Sequence, residues 1–302
     1  MDNNTLIQQV LVLFLIMLVG FIAKKKDIIN SQVSKKFSEL LLYITSPFLV
    51  ITSFNFEFSI DMLTKAIIVF IFSVAIHVFS IILGKFAFNR YPERVKSVLQ
   101  FITVFPNCGF MGFPVLESIF GKIGIFYGSI YVMVFNLFLW TYGVMLFSKS
   151  GEKTSMKQVI LNPGIISVFI GIIIFLFSID IPKPIFNTLD MVGGMTAPLS
   201  MLIVGALLAD IDFKQLFSGF AVYYGSFIRL IFIPLFTLIV LKFTGMEQEL
   251  MKICVLLVAM PAAANTAIFA EKYDADALLA SRCVALSTIF SMITMPFILS
   301  IV

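Results

Sequence analysis

Two stretches of the sequence interrupt long apolar runs with proline, glycine and polar side chains. Residues 105–114 read FPNCGFMGFP, and residues 260–266 read MPAAANT. Proline removes a backbone donor and clashes with the preceding turn, so neither stretch can continue as a regular helix. A half-helix that begins at such an interruption carries about half a positive charge at its unpaired N–H groups, and two of them facing each other would attract an anion. The candidate binding residues are Pro106, Asn107, Gly109, Gly112, Pro261, Asn265 and Thr266.

The polar side chains of these stretches suit a carboxylate. Asn107, Asn265 and Thr266 can orient it by hydrogen bonds without a fixed charge that would hold it too tightly. The alternative is that both stretches are ordinary proline kinks, whose amide and hydroxyl groups only cap the freed backbone. The matched pair of interruptions favours the anion site.

Two ionisable side chains, His77 and Arg229, also lie within apolar segments. Such groups cost about 2.5 to 3.5 kcal/mol on insertion and usually have a function. His77 could carry a coupled proton, or be a neutral imidazole hydrogen-bonded to a neighbouring helix. Arg229 keeps its charge, so it either adds positive potential to the anion site or makes a structural pairing.

The composition excludes a soluble protein. Of 302 residues, 60% are hydrophobic and 13% charged, and the mean hydropathy is +1.05. A single histidine cannot build a His-rich metal site, so we expect no metal and no other cofactor. No nucleophile and base pair is recognisable, which argues against an enzyme. The net charge of +4 reflects basic loops and gives no indication of nucleic-acid binding.

Ten apolar segments are long enough to cross a membrane, and we number them as crossings 1 to 10. They lie near 5–23, 35–54, 62–84, 97–120, 124–147, 160–178, 185–209, 218–243, 250–272 and 277–301. Fifteen Lys and Arg residues follow odd-numbered crossings and five follow even-numbered ones. Because basic loops stay in the cytoplasm, we predict a multi-pass protein of the cell membrane with both termini outside.

The sequence also indicates an internal duplication. Thr45 and Pro47 in crossing 2 match Thr196 and Pro198 in crossing 7, and the prolines of crossings 4 and 9 have nearly the same spacing. With five crossings in each half, the second repeat must be inverted, as is common in secondary transporters. We therefore predict a first repeat at 1–147, a short cytoplasmic linker at 148–159 and a second repeat at 160–302.

Several motifs in this order resemble the auxin efflux carrier family, which includes the plant PIN exporters and bacterial malate-type permeases. They are Pro106, Asn107, Met111 to Pro114, Phe120, Gly121, Asn136, Trp140, Asn162, Pro163, Pro261 and residues 269–273. The resemblance implies an all-α integral membrane protein with a crossover elevator fold, similar to bile acid symporters and sodium/proton antiporters. Broken crossings 4 and 9 would intersect there, and Asn136 would join the substrate contacts.

The resemblance further implies that crossings 1, 2, 6 and 7 form a scaffold that dimerises, while crossings 3–5 and 8–10 form a moving transport domain. The function so implied is secondary transport of small organic anions, mono- or dicarboxylates, in contact with membrane lipid and with proton coupling as an option. The alternatives are a sodium-coupled symporter of the bile acid type and a channel or sensor on the same fold. We expect no tightly bound sodium.

Overall fold

A computed structural model describes residues 3–147, 161–210, 216–273 and 275–302, and every regular element in these ranges is helical. The predicted linker at 148–159 lies outside them. The α-helices are α1 (Asn3–Lys25), α2 (Ser31–Leu40), α3 (Ser46–Ser53), α4 (Ile60–Ala87), α5 (Glu93–Val104), α6 (Phe113–Phe138), α7 (Val144–Phe147), α8 (Pro163–Leu176), α9 (Lys183–Gly193), α10 (Thr196–Ala209), α11 (Phe220–Phe227), α12 (Ile233–Lys242), α13 (Gln248–Val258), α14 (Asn265–Lys272) and α15 (Ala277–Ile301). Single π-helical turns occupy Leu41–Thr45, Cys108–Gly112, Leu139–Gly143 and Ile228–Phe232.

Six helical stretches of the described chain are long and apolar enough to cross a membrane, and Pro163–Leu176 is a shorter apolar helix. The six are Gln8–Lys25, Ile60–Ala87, Cys108–Phe147, Lys183–Ala209, Phe220–Lys242 and Ala277–Ile301. The prediction of an α-helical membrane protein is thus supported at the level of its class. Ten crossings in two inverted repeats stay a prediction.

Gly121 divides the longest of these stretches. A continuous helix of 40 residues would be about 60 Å long, twice the hydrocarbon thickness. Gly121 has φ 58° and ψ −145° inside α6, which separates the helix before it from the helix after it. A Cβ at this position would meet no atom within 4 Å, so the backbone conformation, and not the space, calls for glycine. This turn falls between predicted crossings 4 and 5.

The chain forms two compact units. Unit 1 comprises Met1–Phe70, Gly109–Met133 and Met156–Asp210, and unit 2 comprises Ile71–Cys108, Val134–Ser155 and Ile211–Val302. Each unit therefore combines segments from both halves of the sequence.

In unit 1, α1 packs against α10 with their backbones in close approach. A Cβ on Gly205 would overlap the carbonyl oxygen of Met17, and a Cβ on Gly20 would overlap that of Leu202. Small residues at such positions allow membrane helices to approach closely. Glycine in each of the two helices therefore makes the close packing of α1 against α10 possible.

A lysine just after the Gly121 turn ties three helices of unit 1. The Lys122 ammonium donates to the Thr52 hydroxyl of α3 at 2.9 Å and forms an ion pair with Asp190 of α9. It also lies 5.8 Å from the ring centroid of Phe186. One charge therefore holds the chain after the turn against both α3 and α9.

In unit 2, the helices that lead into the two interruptions are buried on all sides. Residues 97–104 of α5 and 253–258 of α13 are all buried, although the range in α5 includes the polar residues Ser97, Gln100 and Thr103. The Phe101 ring packs on those of Phe105, Phe147 and Phe269 at 4.6 to 5.4 Å. The interruptions thus begin inside a packed interior.

Candidate functional site

The two proline interruptions are present in the structure and lie against each other. Helix α5 ends at Val104 and the chain resumes helical turns at Cys108, while α13 ends at Val258 and α14 begins at Asn265. Between these ends, Pro106 and Ala262 form an antiparallel β-bridge. The Asn107 N–H donates to the Pro261 carbonyl at 2.7 Å, and the Ala263 N–H donates to the Phe105 carbonyl at 3.0 Å.

This pairing explains how non-helical backbone persists inside an apolar protein. Freed N–H and C=O groups cost several kcal/mol in hydrocarbon unless protein or a ligand satisfies them. Here each interruption supplies partners to the other, so neither break is stable without its counterpart. Pro106 and Pro261 lie at the pairing itself and are buried.

Asn107 contributes a buried hydrogen-bond donor to this crossing. Its side chain is 4% exposed, and its main-chain N–H is already used by Pro261. The side-chain nitrogen Nδ2 is buried and has no partner among the described residues. A buried donor without an acceptor costs about 1 to 3 kcal/mol, which a bound carboxylate oxygen would recover.

The two polar residues after Pro261 differ in their roles. Thr266 is fully buried, and its hydroxyl donates to the Ala263 carbonyl at 2.6 Å. This is the capping role that the alternative interpretation assigned to it. Asn265 is half-buried at the first position of α14, the end of that helix that favours negative charge.

The glycines predicted for the site lie in the π-helical turn after the first interruption. A Cβ on Gly109 would meet no atom within 4 Å, so open space adjoins the turn at this residue. Gly112 is buried at the end of the turn. The turn therefore has open space beside Gly109 and is packed at Gly112.

Asn136 is half-buried near the far end of α6. The ring of its neighbour Phe135 packs on that of Phe105 at 5.5 Å, and Phe105 belongs to the first interruption. The residue indicated by the family resemblance is thus next in sequence to a direct contact of the crossing.

His77 is 1% exposed and lies among aromatic rings. Its Nδ1 is 2.6 Å from the Ser73 carbonyl, one turn earlier in α4, and because a carbonyl only accepts, Nδ1 is the donor. The imidazole stacks on Phe138 at 5.1 Å and lies 6.4 Å from the Phe105 ring. This hydrogen bond runs within α4.

Arg229 lies at the crossing, in the π-helical turn between α11 and α12, and is 1% exposed. Its Nη1 donates to the Thr103 carbonyl at 2.8 Å and its Nη2 donates to the Val258 carbonyl. These carbonyls belong to the last turns of α5 and α13.

The sequence did not single out Ser287, which the structure places at the second interruption. Its hydroxyl accepts the Ala262 N–H at 3.1 Å. Serine recurs along α15, so nothing in the pattern distinguishes this position. In the described ranges, no group of three or more His, Cys, Asp or Glu side chains is arranged to hold a metal ion.

Discontinuous helices that meet within the protein are a common feature of membrane transporters. The comparisons agree with that class. The chain belongs to the family described as membrane transport protein, which matches residues 5–159 and 153–299 and corresponds to the auxin efflux carrier family indicated by the motifs.

Three relatives illustrate the similarity. The uncharacterized transporter MJ1031 of Methanocaldococcus jannaschii is 26% identical over 302 residues, 94% of each chain. An uncharacterized transporter of Methanothermobacter thermautotrophicus is 26% identical over 298 residues, 96% of each chain. The uncharacterized transporter YfdV of Escherichia coli K12 is 24% identical over 304 residues, 96% of this chain and 95% of its own. The likeness therefore extends over nearly the whole chain.

Proposed function

We propose that this chain is a secondary carrier that moves small organic anions, mono- or dicarboxylates of the auxin or malate type, across the cell membrane. The observation that carries the proposal is the buried side-chain nitrogen of Asn107, which has no hydrogen-bond partner in the described part of the chain and lies at the paired interruptions. A buried amide donor calls for an acceptor, and a carboxylate oxygen is a strong one.

The charge distribution around the crossing supports an anion over a neutral solute. The helical turns that resume at Cys108 and at Asn265 begin there, so their N–H ends carry partial positive charge toward the interruptions. Asn265 stands at one of these ends and adds a second amide. Thr266 keeps the turn closed and leaves the amides to bind the ligand.

The proposed mechanism is an elevator movement around the crossing. In it, ten crossings form two inverted repeats, crossings 1, 2, 6 and 7 make a dimeric scaffold, and crossings 3–5 and 8–10 carry the substrate. For export, an inside-negative potential already supplies about 2.3 kcal/mol per charge per 100 mV. Uptake would require a co-transported proton, for which His77 is the candidate carrier.

The test is ligand-induced stabilisation of purified protein and of two variants. Malate, malonate, indole-3-acetate and taurocholate are compared with chloride at equal ionic strength, and the midpoint of thermal unfolding is measured. A carboxylate should stabilise the wild type in proportion to the logarithm of its concentration over its dissociation constant. Asn107→Ala should raise the dissociation constant of that ligand about tenfold because a charge-assisted hydrogen bond is lost.

Asn89→Ala is the matched control, since Asn89 is exposed in the loop after α4. It should bind as the wild type does. Wild-type affinity in Asn107→Ala would place the site elsewhere. In proteoliposomes, unlabelled substrate on the far side should accelerate entry of the labelled one, whereas a channel shows no such acceleration.

A further inference from the structure

The guanidinium of Arg229 replaces two backbone donors that the interruptions remove. In a continuous helix the Thr103 carbonyl would accept the N–H of residue 107, and the Val258 carbonyl that of residue 262. Both N–H groups are used elsewhere, by the Pro261 carbonyl and by the Ser287 hydroxyl. Arg229 donates to each of the two abandoned carbonyls.

These carbonyls are also the negative ends of two helices. Helices α5 and α13 end at Val104 and Val258, and each end carries about half a negative charge. One guanidinium therefore meets roughly one unit of negative charge. Neutral amides could satisfy two carbonyls equally well as donors, yet the chain buries a full charge at this point, which is costly unless the charge itself is needed.

We propose that Arg229 is a resident cation of the crossing, in the place where a transporter would otherwise need an exchangeable one. Exposed C-terminal ends of broken membrane helices commonly coordinate a sodium ion or a proton. Arginine does not lose its proton and cannot dissociate, so this position is filled throughout the transport cycle. The proposal rests on the proposed anion site and deepens it, because an anion then binds without a metal cation.

The charge of Arg229 also determines how strongly the positive helix ends attract an anion. Left alone, two negative helix ends beside two positive ones would largely cancel, and an anion would gain little there. With the negative ends neutralised by Arg229, the positive ends at Cys108 and Asn265 act on the ligand unopposed. We therefore expect the affinity for a carboxylate to be the same in sodium and in choline buffers.

The decisive experiment is chemical rescue. Arg229→Ala removes the guanidinium and leaves two carbonyl ends without donors, so its unfolding midpoint should fall well below that of the wild type. Free guanidinium at about 20 mM should raise the midpoint of this variant by about 3 °C more than the same concentration of sodium does. The wild type and the control Arg90→Ala, in which the substituted residue is exposed, should show no such preference for guanidinium.

A second pair of variants tests the charge if Arg229→Ala does not fold. Arg229→Lys keeps the charge and Arg229→Gln keeps only neutral donors, so the lysine variant should be the more stable of the two. Equal or greater stability of the glutamine variant would overturn the proposal, as would rescue of Arg229→Ala by sodium as effectively as by guanidinium.

A third measurement addresses the ligand. Malate binding to the wild type is compared in sodium and in choline buffers, and a strict requirement for sodium would also overturn the proposal. The rescue of stability needs no carboxylate. A failure of malate to bind would therefore count against the proposed function only. The proposal for Arg229 would still be tested by the stability of its variants.

Discussion

Thr266 provides a prediction at the scale of one residue. Its hydroxyl donates to the Ala263 carbonyl, and both groups are buried. Thr266→Val keeps the shape and removes the donor, so it should lower the free energy of unfolding by about 1 to 3 kcal/mol. Thr266→Ser keeps the hydroxyl and should lose less. Thermal unfolding in detergent measures both.

Ligand affinity separates this cap from a direct contact. At a temperature where Thr266→Val is folded, it should bind a stabilising carboxylate as the wild type does. An unchanged stability with weakened binding would mean that the hydroxyl contacts the anion instead.

Residue type alone could not distinguish Asn107 from Thr266. The sequence presents both as small polar groups beside a proline, and both were predicted to bind a ligand. The structure gives Thr266 a backbone partner and leaves the Asn107 nitrogen without one in the described chain. That difference depends on which backbone group lies within 3 Å, and such a distance is set by the fold around the break.

At the scale of elements, the close approach of α1 and α10 makes a strong prediction. Gly205→Ala would place a methyl group on the Met17 carbonyl and force the two helices apart, at a cost of about 1 to 3 kcal/mol. Gly84→Ala is the control, because its nearest neighbour, Gln100, is 3.5 Å away and alanine favours a helix. The midpoints of thermal unfolding of the two variants are measured, and that of Gly205→Ala should be the lower. Equal stability would show that the helices separate without cost.

The positions of the two helix interruptions could be predicted from the sequence, but the side chains that contact them could not. Pro106 and Pro261 are each followed by small and amide residues, and this combination predicted a break, whereas Pro296 alone lies inside the continuous helix α15. The π-helical turn at Ile228–Phe232 has only Pro234 shortly after it, and the turn at Leu139–Gly143 has no proline beside it. The Arg229 contacts depend on the first of these turns, so sequence could indicate only that this charge needed a partner.

At the scale of the whole molecule, the basic loops predict the orientation in the membrane. Glu57 is exposed between predicted crossings 2 and 3, and Arg90 is exposed between crossings 3 and 4. Glu57→Cys should react with an impermeant maleimide in intact cells, and Arg90→Cys only after permeabilisation. The wild type is the background control, because Cys108, Cys254 and Cys283 are all buried. The reverse pattern would place both termini in the cytoplasm.

The contacts that join residues 105–107 to 261–263 run between main-chain atoms on both sides. Such contacts do not depend on side-chain identity, so substitutions at Asn107 or at the half-buried Ala264 can alter the chemistry beside the crossing while the paired backbone keeps its hydrogen bonds. A lineage could thereby acquire a new ligand through a few point changes, without having to redesign the paired backbone.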